Sequence, residues 1–143
     1  MPSQIDLDKT YISMAKTWSN LSKANRAKVG CLIVKNGAII SDGYNGTPKG
    51  FDNDCEMQDP SLCFSRQITK PEVIHAEANA ITKLSKSTQS SENATMYITI
   101  SPCVDCAKLI IQSGISRVVF EEIYRNEDGS DLLKKAGILV NQI

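Results

Sequence analysis

Residues 95–120 read TMYITISPCVDCAKLIIQSGISRVVF, and their pattern is the strongest indication of the fold class. The β-prone apolar runs at 95–100 and 116–120 predict two strands. A helix is predicted between them, over 102–113, because proline fits the first turn of a helix and Gly114 suits its end. A strand, a helix and a second strand in this order favour a crossover between parallel strands. The stretch therefore indicates an α/β domain.

Outside this stretch, the sequence predicts three more strands and three more helices. Two strands flank Asn36-Gly37, a dipeptide that favours a tight hairpin because both of its residues tolerate positive φ. The strands are predicted at 29–35, 38–44 and 138–140, and the helices over the N-terminal region and at about 73–86 and 128–136. Together these elements predict a five-stranded mixed sheet with helices on both faces, in a single domain over residues 1–143.

An apolar stripe marks the first helix. Its members recur at spacings of three and four residues, which places them on one helical face: Leu7, Tyr11, Met14, Trp18 and Leu21. We interpret this stripe as core, with Asp6 as the N-cap of the helix.

Residues 45–70 form a long polar stretch with Gly, Pro, Asn and Asp throughout. Structureless loops of that length are uncommon in a compact domain and are often functional. We therefore expect this region to contribute to the site.

The bulk composition limits the possible partners. The 143 residues are 41% hydrophobic and 22% charged, and 16 basic residues balance 16 acidic ones. A formal net charge of zero argues against a protein that grips long nucleic acid, because phosphate contacts need a basic surplus. No apolar run of about 18 residues predicts a membrane span, and the first residues lack the features of a signal peptide. We expect no nucleic-acid partner, no membrane contact and a cytoplasmic location.

Three residues have the types and spacing of a zinc site. Cys103 and Cys106 lie three residues apart at the start of a predicted helix, so both thiolates can reach one ion. The positive end of the helix also favours thiolates over thiols. His75, the single histidine of the chain, supplies a third ligand and leaves a fourth position open. An open position is typical of a catalytic Zn²⁺ site.

Glu77 follows the histidine by two residues and is not needed as a ligand. A carboxylate there can accept a proton from water, pass it to a ring nitrogen and later protonate a leaving amine. His-x-Glu followed by Pro-Cys-x-x-Cys is the signature of the zinc-dependent deaminases. The alternative is a structural zinc with an incidental glutamate, but structural sites normally have four protein ligands. The residues therefore favour hydrolytic deamination.

Three longer motifs resemble the deoxycytidylate (dCMP) deaminases, and the resemblance covers roughly residues 8–140. The motifs are His75-Ala76-Glu77-Ala78-Asn79-Ala80-Ile81, Ser101-Pro102-Cys103-Val104-Asp105-Cys106 and Gly43-Tyr44-Asn45-Gly46-Thr47-Pro48-Lys49-Gly50. Arg26 shortly before Val29-Gly30 adds to the similarity, and compact chains of this length resemble phage and viral members. The resemblance implies a three-layer α/β/α fold of the cytidine-deaminase type, with strand order 2-1-3-4-5. It also implies conversion of dCMP to dUMP, the precursor of thymidylate.

The resemblance further implies an assembly and effectors. Members of the family are homohexamers that dCTP with Mg²⁺ activates and dTTP inhibits, and both effectors would bind around Gly43, Tyr44, Asn45 and Gly46. An Asn-Gly-rich turn with free N–H groups suits phosphate or sugar contacts. From the residues alone, a plain turn at the end of a strand explains the same pattern.

Substrate contacts also follow from the resemblance. Asn45 would bind the 3′-hydroxyl of the sugar, and the Ala76 N–H and the Ser101 carbonyl would bind the edge of the base. The 5′-phosphate would be bound by Arg26, with Ser22 and Lys23. Tyr124 and Arg125 belong to a segment that would lie against the substrate. From the residues alone, Arg26 could equally be a solvated surface arginine, and Tyr124 could pack on the core.

A second metal and other functions remain as alternatives. Some relatives carry a structural zinc near the long loop, where this chain has Cys31, Cys55 and Cys63, but the one histidine is already committed and we expect no second zinc. Rival substrates are dCTP, free cytidine and adenosine in tRNA, and zero net charge weakens the last. A dual dCMP/dCTP specificity also remains open, since one added phosphate group needs only a small change of the pocket. A non-catalytic zinc-bearing nucleotide sensor would have no need of Glu77.

Overall fold

The computed structural model describes residues 1–61 and 66–143, which form four helices and seven strands. In chain order they are α1 (Gln4–Ser19), β1 (Gly30–Lys35), β2 (Ala38–Tyr44), β3 (Glu56–Gln58), β4 (Gln67–Thr69), α2 (Ala76–Leu84), β5 (Thr95–Ile100), α3 (Val104–Gln112), β6 (Arg117–Glu122), α4 (Asp128–Lys135) and β7 (Leu139–Gln142). Every predicted strand and helix is present, with small shifts at the ends. No helix in this described part is both long and apolar enough to cross a membrane.

The main sheet has the order β2-β1-β5-β6-β7, which confirms the predicted order 2-1-3-4-5. Strands β5, β6 and β7 pair in parallel, as their intervening helices predicted. The hairpin turn is also as predicted, with φ of 51° at Asn36 and 75° at Gly37. A second antiparallel pair was not predicted: β1 lies between β2 and β5 and runs opposite to both. The parallel crossover through α2 therefore joins β2 to β5 and passes over β1.

Helices cover both faces of this sheet, which confirms the three-layer α/β/α architecture. Side chains alternate along β1, so that Leu32 and Val34 join the cluster under α1, whereas Cys31 and Ile33 join the opposite one. The α1 cluster consists of Ile12, Ala15, Leu32, Val34, Tyr97 and Val119. The larger cluster lies beneath α2, α3 and α4 and includes Ala80, Met96, Ile98, Ile110, Val118 and Leu133. This second layer carries the candidate metal ligands.

The N-terminus of α1 corrects the predicted cap. Ser3 is the N-cap, because its hydroxyl accepts the Asp6 N–H at 3.1 Å, and the Asp6 carboxylate accepts the Ser3 N–H at 3.1 Å. This reciprocal pair is a capping box. Asp6 therefore lies inside the first turn, where its charge also complements the positive end of the helix dipole.

The predicted apolar stripe coincides only in part with the buried face of α1: Leu7, Tyr11 and Trp18 are half-buried, and Tyr11 packs against the core cluster. The buried positions are Asp8, Ile12, Ala15 and Ser19, whereas Met14 and Leu21 are 43% and 47% exposed. Small residues face the sheet because the helix comes very close to β1: a methyl group on Gly30 would collide with the Ala15 carbonyl oxygen. Apolar periodicity cannot reveal a face made of small and polar side chains, so the predicted face is rotated from the real one.

The long polar stretch contains a small hairpin that was not predicted. Strands β3 and β4 pair antiparallel, from Glu56 opposite Thr69 to Gln58 opposite Gln67. The Lys70 N–H extends this pairing by donating to the Cys55 carbonyl oxygen at 2.8 Å. Strands of three mostly polar residues have no hydrophobic periodicity, so they could not be recognised.

Helices α2 and α3 begin later than predicted, and each begins at a proposed metal ligand. His75 is the N-cap of α2 and Cys103 is the N-cap of α3, both with extended backbone. Pro102 therefore precedes the cap instead of lying in the first turn. Ahead of α2, Ile74 pairs with Gly46 through backbone hydrogen bonds of 2.8 and 3.1 Å. This pairing keeps the residues before His75 extended.

Candidate active site and metal centre

The starts of α2 and α3 bring three metal-binding atoms together. His75 Nδ1 lies 3.6 Å from Cys103 Sγ and 3.3 Å from Cys106 Sγ, and all three ligand atoms lie within 4.8 Å of one another. Zinc held tetrahedrally at about 2.3 Å from sulfur and about 2.0 Å from nitrogen would separate such atoms by roughly 3.5 Å. The Cys106 N–H also donates to Cys103 Sγ at 3.5 Å, as expected where a helix N-terminus stabilises a thiolate. The donor set and its spacing fit Zn²⁺.

The two cysteine thiols affect each other strongly. A hydrogen bond from the Cys106 thiol, together with the His75 ring, lowers the pKa of Cys103 to about 4. The same hydrogen bond and burial raise the pKa of Cys106 far above its ordinary value. Two thiolates at this separation repel each other, so a cation between them is needed before both lose their protons. The electrostatics of the pair therefore also fit a bound metal ion.

Glu77 is the second residue of α2 and is only 4% exposed. Burial is the main reason that its pKa is raised, and the nearby His75 opposes this shift. The carboxyl group is not part of the three-atom cluster, although it lines the same cavity as His75 and Cys103. A protonatable group beside three metal ligands, but separate from them, is suited to carrying protons.

A cavity of about 230 Å³ opens beside the metal ligands. It is lined by most of the predicted site residues, namely Arg26, Asn45, His75, Ala76, Glu77, Ser101, Cys103, Tyr124 and Arg125. The Arg125 guanidinium lies 5.5 Å from the centre of the Tyr124 ring, and Tyr124 is 37% exposed, so it does not pack into the core. The structure therefore places most of the residues that we expect to contact the base, sugar and phosphate around one space.

Ser22 and Lys23 lie outside the lining of this cavity. Ser22 is buried, and its hydroxyl donates to the Asn45 carbonyl oxygen at 2.8 Å and accepts the Ala24 N–H at 3.2 Å. Lys23 is exposed. Ser22 and Lys23 are therefore not part of the cavity wall, although Ala24 and Ala27, which are closer to Arg26 in sequence, line it.

Asn45 and Ser101 line the cavity and also hold its wall in place. The Asn45 side chain donates to the Ala27 carbonyl at 2.8 Å and accepts the Val29 N–H at 2.9 Å. The Ser101 hydroxyl accepts the Tyr124 N–H at 2.8 Å. Each of these residues therefore fixes a segment that carries an arginine of the cavity.

The sequence did not predict that several other residues line the cavity, among them Cys55, Glu56, Thr69 and Val73. Glu56 and Thr69 belong to the β3–β4 hairpin, which has no pattern in the sequence, whereas Cys55 and Val73 lie outside its strands. Among the described residues, no cluster with metal-ligand spacing includes Cys31 or Cys55. Cys63 lies outside the described residues. Cys31 is fully buried in the sheet, as expected for a core residue.

The proposed effector residues are divided between two places. Asn45 lines the active-site cavity, whereas Gly43, Tyr44 and Gly46 line a second cavity of about 420 Å³ on the outer side of α2. A side chain on Gly43 would collide with the Ala76 carbonyl oxygen, so β2 lies directly against the first turn of α2. The second cavity is therefore next to the helix that carries Glu77.

Known proteins share the sequence pattern. Residues 5–122 match the sequence model of the family described as cytidine and deoxycytidylate deaminase zinc-binding region. The deoxycytidylate deaminase of Enterobacteria phage T4 is 39% identical over 168 residues, which cover 92% of this chain and 86% of that protein. An alignment of that length exceeds the 143 residues of this chain, so the phage T4 protein has inserted residues. The deoxycytidylate deaminase of Saccharomyces cerevisiae is 35% identical over 94% of this chain and 44% of that protein.

The fold is shared as well. A dCMP deaminase from the cyanophage S-TIM5, with a crystal structure in complex with dCMP and dUMP, superimposes with a TM-score of 0.90. It is 39% identical, and the match covers 99% of this chain and 100% of that one. The family match spans most of the sequence, and the ligand cluster has the spacing that zinc requires. The chain therefore belongs to the cytidine and deoxycytidylate deaminase family.

Proposed function

We propose that this protein is a zinc-dependent dCMP deaminase, which hydrolyses dCMP to dUMP and ammonia. The observation that carries the proposal is the ligand cluster at the edge of a cavity that also holds Glu77, a buried carboxyl group outside the cluster. The phage T4 and cyanophage relatives, both named as dCMP deaminases, support the choice of substrate. The product would supply dUMP for dTTP synthesis.

Proton transfer by Glu77 is the central step of this chemistry. When bound by His75, Cys103 and Cys106, a zinc ion supplies Lewis-acid activation of water near neutral pH. Glu77 accepts a proton from that water while the water oxygen bonds to C4 of the cytosine. Its carboxyl group then gives this proton to N3, accepts the second proton from the new C4 hydroxyl group and passes it to the amino group, so that the C4–N bond breaks, C4 becomes a carbonyl carbon and ammonia leaves. Burial suits this task, because it raises the pKa of Glu77 toward the working pH.

Backbone groups at the cavity recognise the base. Ala76 is the first residue of α2, where an N–H group has no acceptor within its own helix. Ser101 is buried at the end of β5 and also lines the cavity. An N–H donor and a carbonyl acceptor match the acceptor and amino group on the pairing edge of cytosine. Ala76 and Ser101 would therefore orient C4 toward the metal ligands.

The sugar and phosphate would lie farther along the same cavity. Asn45 would contact the 3′-hydroxyl, and Arg26 the 5′-phosphate, since a guanidinium can bind phosphate through two hydrogen bonds. Tyr124 and Arg125 would close the cavity around the substrate. Ser22 would contribute only through its hydrogen bond to the Asn45 carbonyl.

We further propose that nucleotide effectors regulate the enzyme at the second cavity. Activation by dCTP with Mg²⁺ and inhibition by dTTP, within a homohexamer, would act through the second cavity. Lysines on its rim suit a triphosphate: Lys49, Lys83 and Lys86. The Asn79 side chain joins the two sides of the cavity by donating to the Tyr44 carbonyl at 2.8 Å. A ligand there would contact both the 43–47 segment and α2.

A substrate panel tests the proposed activity. The purified zinc-loaded protein is assayed for ammonia release from dCMP, dCTP, cytidine and adenosine-containing RNA. We expect kcat/KM for dCMP to exceed that for each of the others. A preference for cytidine or for the RNA would contradict the proposed substrate.

Effector control and assembly need separate measurements. We expect dCTP with Mg²⁺ to raise the rate at low dCMP and dTTP to lower it, while light scattering gives the mass of six chains. Lys86→Ala, which changes the second cavity but not the active site, should weaken both effects and leave the basal rate unchanged. A rate insensitive to saturating dTTP would rule out the regulatory part while leaving the deaminase activity intact.

A further inference from the structure

Residues 22–29, in the segment between α1 and β1, line part of the active-site cavity and include Arg26. Two side chains from distant parts of the chain hold this segment. Asn45 binds the backbone of its second half, at Ala27 and Val29. Glu56, the first residue of β3, binds the backbone of its first half. Glu56 is half-buried and lines the same cavity as Arg26.

The Glu56 carboxylate accepts two successive backbone N–H groups. Its Oε1 atom lies 2.5 Å from the Asn25 nitrogen and 3.2 Å from the Arg26 nitrogen, and Oε2 lies 3.3 Å from the Asn25 nitrogen. Successive N–H groups that converge on one point form a binding site for anions such as phosphate. In this protein, a carboxylate of the chain itself fills that site.

The charges around this part of the cavity are few. Arg26 and Arg125 contribute two positive charges, and Glu56 contributes one negative charge. Within residues 1–61 and 66–143, none of the three forms a salt bridge. One phosphate monoester, with a charge of about −1.5 to −2 at neutral pH, is enough to neutralise the two arginines. A second or third phosphate would find the N–H pair occupied and a carboxylate beside it.

We propose that Glu56 is a specificity-determining residue that restricts this cavity to nucleoside monophosphates. The proposal rests on the proposed deaminase function and concerns how the same site rejects di- and triphosphates. Glu56 acts in two ways that point in one direction: it occupies the two N–H groups that a β-phosphate could use, and its charge repels the added phosphates.

The test variant is Glu56→Gln, because the amide oxygen can still accept both N–H groups while the negative charge is lost. Asp54→Asn is the matched control. It also removes one negative charge, only two residues from Glu56 in sequence, but the Asp54 side chain is exposed and does not line the cavity. For each protein, kcat/KM is measured with dCMP, dCDP, dCTP and deoxycytidine as the single substrate, at one fixed Mg²⁺ concentration. The dCDP measurement avoids the proposed effector dCTP. Zinc content is measured in parallel.

We expect Glu56→Gln to raise the ratio of kcat/KM for dCDP over that for dCMP by about tenfold, with a similar rise for dCTP, because one like-charge interaction is lost. Asp54→Asn should change these ratios less than twofold. The deoxycytidine measurement separates the phosphate effect from any effect of the substitution on the rest of the cavity, because this substrate has no phosphate.

The outcomes separate this inference from the proposed function. A wild-type protein that does not deaminate dCMP would contradict the deaminase function itself. A second outcome concerns Glu56 alone. If the wild type deaminates dCMP, but kcat/KM for dCDP and dCTP relative to dCMP is the same in Glu56→Gln as in Asp54→Asn, the role of Glu56 is refuted. A parallel fall for all four substrates, or a loss of zinc, would show that Glu56 only supports the fold and would also refute the proposal.

Discussion

The two walls of the active-site cavity are built in different ways. The metal-binding wall comes from the first turns of α2 and α3, where each motif is short and continuous in sequence. The other wall is assembled from separate segments that meet through side chains bound to backbone, such as Asn45 to Ala27 and Glu56 to Asn25. The first wall requires only that the metal ligands have the correct spacing at the starts of two helices. The second depends on the whole tertiary structure.

We infer from this difference that the metal-binding wall carries out the reaction and that the opposite wall selects the substrate. A tetrahedral metal ion tolerates little variation in its ligands, so the positions of His75, Cys103 and Cys106 follow from the reaction. The opposite wall has to fit one particular nucleotide and can do so with residues from many parts of the chain. We therefore expect substitutions in the first wall to abolish turnover and those in the second to change affinity and specificity.

Removing a metal ligand should have the largest effect. Cys103→Ser replaces a thiolate by a hydroxyl, a poor zinc ligand, so the zinc content should fall well below one ion per chain and dCMP turnover should drop on the order of 1,000-fold or more. Cys55→Ser is the matched control, because Cys55 lies outside the ligand cluster. It should retain zinc. A Cys103→Ser protein with full zinc content would show that the metal is bound elsewhere.

Asn45→Ala in the second wall should have the next largest effect. It removes the hydrogen bonds to Ala27 and Val29 as well as the proposed sugar contact, so KM for dCMP should rise about tenfold to a hundredfold. Zinc content should not change, and kcat should change less than KM. Asn53→Ala, an exposed residue outside the cavity, serves as the control. Loss of zinc in Asn45→Ala would mean that the two walls are not independent.

A substitution behind the metal-binding wall should have a smaller effect. Gly129 in α4 lies against the Pro102 and Cys103 backbone, and a methyl group there would collide with the Pro102 carbonyl oxygen. Gly129→Ala should displace Cys103 slightly and weaken zinc binding about tenfold, measured by competition with a chelator.

Gly137→Ala is the control for this measurement, because it lies in open space at positive φ. It should lower thermal stability without changing zinc affinity. Equal zinc affinities in the two variants would show that Gly129 has no influence on the ligand.

The smallest effect on catalysis is expected on the other face of the sheet. Asp8 is 3% exposed and accepts hydrogen bonds from Tyr97 at 2.7 Å and from Arg117 at 2.6 and 2.9 Å. Burial would raise its pKa, but the hydrogen bonds outweigh burial and lower the pKa from 3.8 to about 2. Asp8→Asn should therefore reduce the free energy of unfolding at pH 7 by about 2–3 kcal/mol and leave kcat of the folded protein unchanged.

The pH dependence of this stabilisation has a definite sign. Because the folded pKa of Asp8 is depressed, its contribution is present above pH 4 and is lost as the pH falls toward 2. Urea unfolding at pH 7 and at pH 3 should show that the difference between wild type and Asp8→Asn shrinks at the lower pH. A difference that does not depend on pH would assign the effect to packing.

The same contrast explains what the sequence could predict. The strands and the metal ligands follow from local patterns, namely apolar runs, a hairpin dipeptide, and Cys103 three residues before Cys106, whereas the order of the sheet was implied by the family resemblance. Glu56 could not be found, because its role depends on a hairpin and a loop that meet only in the folded chain. Ser22 shows the limit of sequence proximity, since its side chain turns toward the Asn45 carbonyl and away from the cavity.

The dCMP deamination rate of Glu77→Gln, measured together with its zinc content, is the decisive test of the proposed mechanism. If Glu77 carries the protons and His75, Cys103 and Cys106 hold the metal, the variant should keep one zinc ion per chain and lose about 100-fold to 10,000-fold in kcat. Glu72→Gln, an exposed glutamate before α2, should behave as the wild type. A zinc-loaded Glu77→Gln protein that deaminates dCMP at a rate close to the wild type would contradict the account.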